Sequence, residues 1–223
     1  MNNYAIKYRP GAGGEFLVCM IEGLDKDIIV EPDENNRYVG AHVESWHQSL
    51  GNYFNNSGLT YNNTPRFSNH EVPDKHCMTF HLWNLDYIIQ LCKLKTKVLV
   101  IEDSTIHSDI LAFHKIPTYK GKSAEDHVKV QMPRYKEWSQ VYSDNETVMN
   151  YAKKLLDIRT VEHDEFYEYS FEQLEEILAW LAGVKLTKEW YEIFKTNTIT
   201  NKGIINIHKD DFIRNLETEN DTN

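Results

Sequence analysis

Length, composition and charge set the first limits on this chain of 223 residues. With 41% hydrophobic and 26% charged residues, it has the composition of a soluble globular protein with one sizeable core. Its net charge of −10 argues against broad binding to nucleic acid or to an anionic membrane surface. The net charge does not exclude a small anionic ligand, because the charge around one site decides whether such a ligand binds.

The lack of a recognisable targeting signal and the cysteine usage predict a cytoplasmic protein. No apolar run approaches the roughly 18 residues that a membrane span needs, and the N-terminus lacks the pattern of a signal peptide. Cys19, Cys77 and Cys92 lie in apolar surroundings and are typical of buried, reduced thiols. We therefore expect a cytoplasmic protein that makes no use of a membrane.

The N-terminal region predicts a strand, a glycine turn and a helix. Residues 4–8 are aromatic and apolar, as in a buried strand, and residues 15–22 have helical spacing that ends at Gly23. Between them, residues 9–14 are Arg-Pro-Gly-Ala-Gly-Gly. Glycines permit positive φ and a close ligand, and a helix N-terminus attracts anions. A phosphate- or sulfate-binding loop is predicted, with an ordinary tight turn as the alternative.

This turn matches neither of the two common nucleotide-binding motifs. The Walker A loop ends in Gly-Lys-Ser/Thr, whereas Gly14 is followed here by Glu15. The dinucleotide motif G-x-G-x-x-G needs its third glycine at position 16, where this chain has Phe16.

Weaker signals follow up to residue 69. Residues 28–30 predict a small strand with a return at 38–39, and residues 41–54 have helical spacing. Residues 52–69 predict an asparagine-rich loop, and loops of this length often carry function.

The middle of the chain predicts a parallel sheet. Residues 76–82 form a strand pattern, residues 85–94 a helix, and residues 98–101 a continuous β-branched run typical of a central parallel strand. Residues 102–105 follow that strand, at the edge where ligands bind in open parallel sheets, and a helix to about residue 114 comes next.

Helices dominate the second half. We expect them at 123–142, 145–157 and 171–183, and again from 187 onward. Ser170 and Gln173 form a capping box for the third of these. Residues 204–207 are interpreted as a late strand or extended arm, and residues 216–223 as a disordered acidic tail. The order predicts one α/β domain over residues 1–215, with a central parallel sheet and a helical C-terminal half.

Four landmarks carry a resemblance to a known family. They are Pro-Gly-Ala-Gly-Gly-Glu-Phe at 10–16, Thr-Phe-His-Leu-Trp at 79–83, Lys-Thr-Lys-Val-Leu-Val-Ile at 95–101, and the tyrosine-plus-helix run at 167–186. Their order resembles the sulfotransferase family, P-loop-like three-layer α/β proteins that use 3′-phosphoadenylyl sulfate (PAPS). The closest likeness is to short, divergent members from phage and bacterial genomes.

The resemblance implies a transferase that moves a sulfuryl group from PAPS to a hydroxyl or amine acceptor without a metal. The donor-binding residues that it implies are Arg9, Gly11, Ala12, Gly13, Gly14, Glu15, Phe16, Ser104 and Ser108. His81 is the candidate general base, because a near-neutral pKa suits that task, and a structural histidine is the alternative. For Arg9 the alternative is a surface ion pair.

Departures from the family pattern motivate rival hypotheses. Gly11 stands in place of the loop lysine, Glu15 in place of a loop hydroxyl, and Glu102 in place of an arginine that grips the 3′-phosphate. Carboxylates at these places repel a phosphosulfate. The second hypothesis is therefore a degenerate, non-catalytic member that acts as a binding or phage structural protein with a protein partner. A third, a small-molecule kinase, is opposed by the missing Gly-Lys-Ser/Thr.

Two remaining features have functional and ordinary interpretations. Lys115, Lys120 and Lys122 make a basic loop that would close over a nucleotide as a lid or simply be solvated. The histidines before residue 82 have no dependable metal spacing, so no metal is expected. If the chain is phage-encoded, its compartment is the host cytoplasm.

Overall fold

The structure is a computed structural model, and it describes residues 3–9, 11–29, 48–49, 77–80, 83, 85–119 and 146–220. The strands are β1 (Tyr4–Tyr8), β2 (Gln48–Ser49), β3 (Cys77–Phe80), β4 (Lys97–Glu102) and β5 (Asp157–Glu162). The helices are α1 (Gly14–Lys26), α2 (Leu85–Lys93), α3 (His107–Tyr119), α4 (Glu146–Leu155), α5 (His163–Phe166), α6 (Phe171–Ala182) and α7 (Lys188–Asn220).

The strands form one parallel sheet in the order β2-β3-β1-β4-β5. β1 lies at the centre, with Tyr4 opposite Cys77 of β3 on one side and opposite Lys97 of β4 on the other. All five residues of β1 are buried, as expected for a central strand covered on both faces.

Helices pack on both faces of the sheet. One core joins Tyr4, Ile6 and Tyr8 of β1 to α1, α6 and the first part of α7. The other face, with Ala5, packs against α2 and α4. Since alternate side chains of a strand point to opposite faces, β1 contributes to both cores.

The first helix shows how the sequence builds this packing. Leu17, Met20 and Ile21 lie at helical spacing and are fully buried against the sheet. The sequence predicted an end at Gly23, but the helix continues to Lys26 and is capped by Asp27 in the left-handed conformation. Gly23 has a packing role instead, because a Cβ there would overlap the Trp190 ring.

Several predictions are confirmed. The mixed α/β class, the parallel sheet and the helical C-terminal half are all present. The strands predicted at 4–8, 76–82 and 98–101 and the helix at 85–94 are found within a few residues. Ser170 and Gln173 form the expected capping box, and Gly183 caps α6 in the left-handed conformation.

The first half also differs from expectation. Gln48 and Ser49 pair with β3 as a strand, inside the segment 41–54 that was predicted to be helical. Ile28 and Ile29 are exposed and lie outside any strand. The predictions for 38–39, 52–69 and 123–142 lie outside the described residues.

Larger differences occur in the second half. α3 extends through Tyr119 into the expected basic loop. The helix predicted to reach residue 157 ends at Leu155, and residues 157–162 form β5, which the sequence pattern did not indicate. The prediction of a late strand or extended arm at 204–207 is wrong, because α7 runs unbroken through this segment to Asn220, inside the predicted tail.

Candidate functional site

The candidate site lies at the carboxyl edge of β1 and β4. The chain leaves β1 toward β2 on one side of the sheet, whereas it leaves β4 toward β5 on the other side. Connections that part in this way open a crevice between the two strand ends, and ligands of open parallel sheets bind in such crevices. The glycine turn after β1 and residues 103–106 after β4 border this crevice.

The glycine turn has the backbone that its sequence predicts. The Ala12 N–H donates to the Arg9 carbonyl across 3.0 Å, and Gly11 has φ +88°. Gly13 is the N-cap of α1 with φ +76°, and no side chain among the described residues caps this helix end. Both conformations favour glycine, so the two residues are placed by backbone geometry.

Close packing holds the turn from two directions. A Cβ on Gly11 would overlap the backbone carbonyl of Ser108 in α3, and a Cβ on Gly13 would overlap the Tyr167 hydroxyl. The turn is therefore fixed between the start of α3 and the segment after β5.

Arg9 forms an ion pair beside the turn. Its Nη2 lies 3.2 Å from Oδ1 of Asp109, whose side chain is only 2% exposed, whereas that of Arg9 is 20% exposed. A buried carboxylate needs such a partner, because an unpaired charge in the interior is costly. The cation expected to face a ligand thus neutralises Asp109 in this structure.

Asp103 organises the segment between β4 and α3. Its Oδ1 accepts hydrogen bonds from the N–H and Oγ1 of Thr105, and its Oδ2 accepts from the Ser108 N–H at 2.9 Å. It therefore acts as a cap for the start of α3. Ser108 is fully buried, and its Oγ has no hydrogen-bond partner among the residues that the structure describes.

Two histidines share one carboxylate at the neighbouring strand ends. His107 Nδ1 lies 2.9 Å from both oxygens of Asp164, and His163 Nδ1 lies 3.1 Å from Oδ1. Partial burial acts to raise the pKa of Asp164, but these hydrogen bonds outweigh it, and the pKa lies below its ordinary value. The carboxyl therefore stays ionised and orients both rings.

His163 connects this group to the glycine turn. It is 2% exposed, and its Nε2 is buried without a hydrogen-bond partner in the described part of the chain. Its ring meets Tyr167 edge-on at 4.9 Å between centroids. The Tyr167 hydroxyl in turn donates to the Ala12 carbonyl across 3.2 Å. Burial raises the pKa of Tyr167, so its hydroxyl remains a donor at neutral pH.

Further acidic residues surround these groups. Glu15 is exposed in the first turn of α1, and Glu102 is half-buried at the end of β4. Glu162, at the end of β5, accepts from the Ser104 N–H across 3.3 Å. Backbone N–H groups and a helix N-terminus at this edge can bind an anion, but the side chains around them carry mainly negative charge.

The structure brings some of the predicted site residues together. Gly11 contacts the start of α3 at Ser108, and Arg9 reaches Asp109 beside it. Ala12 and Gly13 contact Tyr167. Gly14 packs against the Tyr8 ring, and Phe16 is buried and stacks on Phe194, so these two serve the core.

One other predicted residue, Ser104, is not joined to the turn. Ser104 is exposed and faces Glu162. His81, the candidate base, lies outside the described residues, as do Lys120 and Lys122.

Sequence reasoning missed the group His107, His163 and Asp164. His163 and Asp164 directly follow β5, and that strand was itself missed. The available signal was Thr-Val-Glu-His-Asp at 160–164, a β-branched pair followed by polar residues. Polar residues that follow a strand in a parallel sheet are candidates for a site.

Within the described ranges, no group of three or more histidine, cysteine, aspartate or glutamate side chains is arranged to hold a metal ion. No described helix is both long and apolar enough to cross a membrane. The sequence matches no protein-family model and no curated protein.

Proposed function

We propose that the chain is a sulfotransferase-like α/β protein that binds PAPS at its glycine turn and transfers the sulfuryl group to a hydroxyl or amine acceptor. The observation that carries the proposal is the turn itself. Two glycines in the left-handed conformation link the central strand to a helix N-terminus, at the point where the strand connections part. Such a turn favours an oxyanion over other ligands.

The three-layer P-loop-like architecture belongs to the same proposal. Its support is the parallel sheet with helices on both faces and the glycine turn after the central strand. In the reaction, the acceptor oxygen or nitrogen forms a bond to sulfur while the bond from sulfur to the phosphate oxygen breaks. The electron pair leaves with adenosine 3′,5′-bisphosphate, and a base takes the acceptor proton. His81 remains the proposed base.

A second candidate is a non-catalytic relative that binds a protein partner, as in a phage assembly. The ion pair between Arg9 and the buried Asp109 favours it, because the positive charge beside the turn is already neutralised by a carboxylate. Glu15 and Glu102 also place negative charge near the proposed phosphate positions.

Calorimetric titration with adenosine 3′,5′-bisphosphate tests the proposal. We expect saturable binding with a dissociation constant in the micromolar range, lost in Gly13→Asp, which adds a carboxylate at the turn and also distorts its backbone, because a Cβ there would overlap the Tyr167 hydroxyl. Asn150→Asp, at an exposed position of α4, is the matched control for added charge and should bind as the wild type does. Circular dichroism of each variant confirms folding. A folded wild type that binds nothing would reject PAPS binding and favour the non-catalytic candidate.

A further inference from the structure

The last helix presents an apolar stripe that the described core leaves exposed. The inner side of α7 is buried through Trp190, Phe194, Ile205 and Phe212. On the opposite side, Ile199 is 70% exposed and Ile207 is 72% exposed. Single exposed apolar residues are ordinary, but these two share one face of the helix, since a spacing of eight residues separates them by only about 80° around the axis.

Gly203 lies midway between these two isoleucines. A mid-helix glycine costs about 0.5–1 kcal/mol relative to alanine. Many glycines offset that cost by packing, yet a Cβ at Gly203 would meet no atom of the described residues within 4 Å. The part of the chain that the structure describes gives no steric reason for glycine here, whereas the close approach of a second helix would give one.

The sequence on either side of Gly203 suits an antiparallel pairing of α7 with a second copy of itself. Ile199 and Ile207 are four residues from Gly203 on opposite sides. Glu192 and Arg214 are each eleven residues from it, which at 3.6 residues per turn returns both to within about 20° of the Gly203 direction around the helix axis. An antiparallel copy of α7 centred on Gly203 would therefore set isoleucine against isoleucine and Glu192 of each copy against Arg214 of the other.

We propose that this stripe is a docking surface for a second copy of the chain, in a two-fold dimer with Gly203 of both copies at the axis. A two-fold interface is self-complementary, so residue i meets residue j and j meets i. The sequence around Gly203 has this property. The dimer would break the exposed pair between Arg214 and Asp211 within one helix, which costs little because both side chains are about 70% exposed.

The interface is small. From residue 192 to residue 214 the helix spans about 33 Å at 1.5 Å per residue. A contact made by one helix face of this length buries less area than the ~800 Å² per partner of a standard interface. Farther out, Glu189 would face Glu217, although crossing helices diverge with distance from the axis. A dimer that dissociates in the micromolar range follows from these limits.

Sedimentation equilibrium of the full chain over a range of about 10 μM to 1 mM tests the proposal. The expected result is a monomer–dimer equilibrium that Ile199→Asp or Ile207→Asp abolishes. Ile89→Asp, at a 50% exposed position of α2, is the matched control and should leave the equilibrium unchanged. Circular dichroism establishes that each variant is folded.

Charge reversal separates this interface from any other. Glu192→Lys alone, or Arg214→Glu alone, turns two attractive pairs per dimer into repulsive ones and should raise the dissociation constant about tenfold. The double variant restores both pairs and should return to within about threefold of the wild type. A monomer at all concentrations, a dimer indifferent to these changes, or larger open assemblies would each overturn the proposal. No outcome depends on nucleotide binding, so it stands apart from the proposed function.

Discussion

Tyr167→Phe removes one hydroxyl from the support of the glycine turn. That hydroxyl donates to the Ala12 carbonyl, and the ring, which packs against His163 and Phe194, is retained in the variant. The change therefore tests the hydrogen bond while most of the packing stays intact.

The size of the effect follows from burial. Tyr167 is 4% exposed, so water does not readily replace the lost donor. Leaving a buried acceptor unsatisfied costs about 1–3 kcal/mol. Tyr191→Phe is the matched control, since the Tyr191 hydroxyl also donates to a backbone carbonyl, that of Tyr169, but from a less buried position. We expect the control to lose about 0.5–1 kcal/mol.

The same hydrogen bond predicts a pH dependence. The pKa of Tyr167 is raised above its ordinary value of 10.0 in the folded state. The unfolded chain therefore loses this proton first, and the stability that the neutral tyrosine provides is complete below pH 10 and declines above it. The stability advantage of the wild type over Tyr167→Phe should shrink by about 1.4 kcal/mol per pH unit above pH 10.

Urea unfolding at pH 7 and at alkaline pH measures both effects. A lower midpoint at an unchanged m-value reports lost stability. If Tyr167→Phe costs no more than Tyr191→Phe at pH 7, or if the difference from the wild type does not change above pH 10, this account of Tyr167 is wrong.

Three further predictions concern other parts of the molecule. The fold stabilises the ionised form of Asp164, as its lowered pKa indicates, so Asp164→Asn should cost stability at neutral pH. That cost should decline as pH falls below 3.8 and the carboxylate takes up a proton, which pH-dependent urea unfolding checks. Gly203→Ala should raise the free energy of unfolding by about 0.5–1 kcal/mol in dilute protein, and a loss would contradict the open space there. Ser170→Ala should lower it by about 1 kcal/mol through loss of the α6 cap, measured by thermal denaturation.

The sequence predicts well those elements whose local and tertiary preferences agree. β4 is β-branched and buried, and α6 combines a helical stripe with a capping box and a glycine end. The backbone of the glycine turn was also predictable, because its residue types suit few other conformations.

Elements that depend on their neighbours were missed. β5 is an edge strand in which only Val161 is buried, so its sequence lacks the apolar run of a central strand, and its pairing with β4 determines its conformation. Residues 204–207 contain three isoleucines that favour a strand, but Ile205 packs at helical spacing with Phe212 in the core of α3 and α7. The group of Asp164 with two histidines depends on β5, so it could not be found before that strand.

Calorimetric titration of the wild type and Glu15→Gln with adenosine 3′,5′-bisphosphate tests the central claim most directly. Glu15 is exposed in the first turn of α1, so its removal should strengthen an anion bound there by about two- to fivefold, whereas Glu189→Gln, in the first turn of α7, should change nothing. Tighter binding by Glu15→Gln alone is the predicted result. Absence of binding by the folded wild type, or equal affinities for all three proteins, would contradict a nucleotide site at the glycine turn.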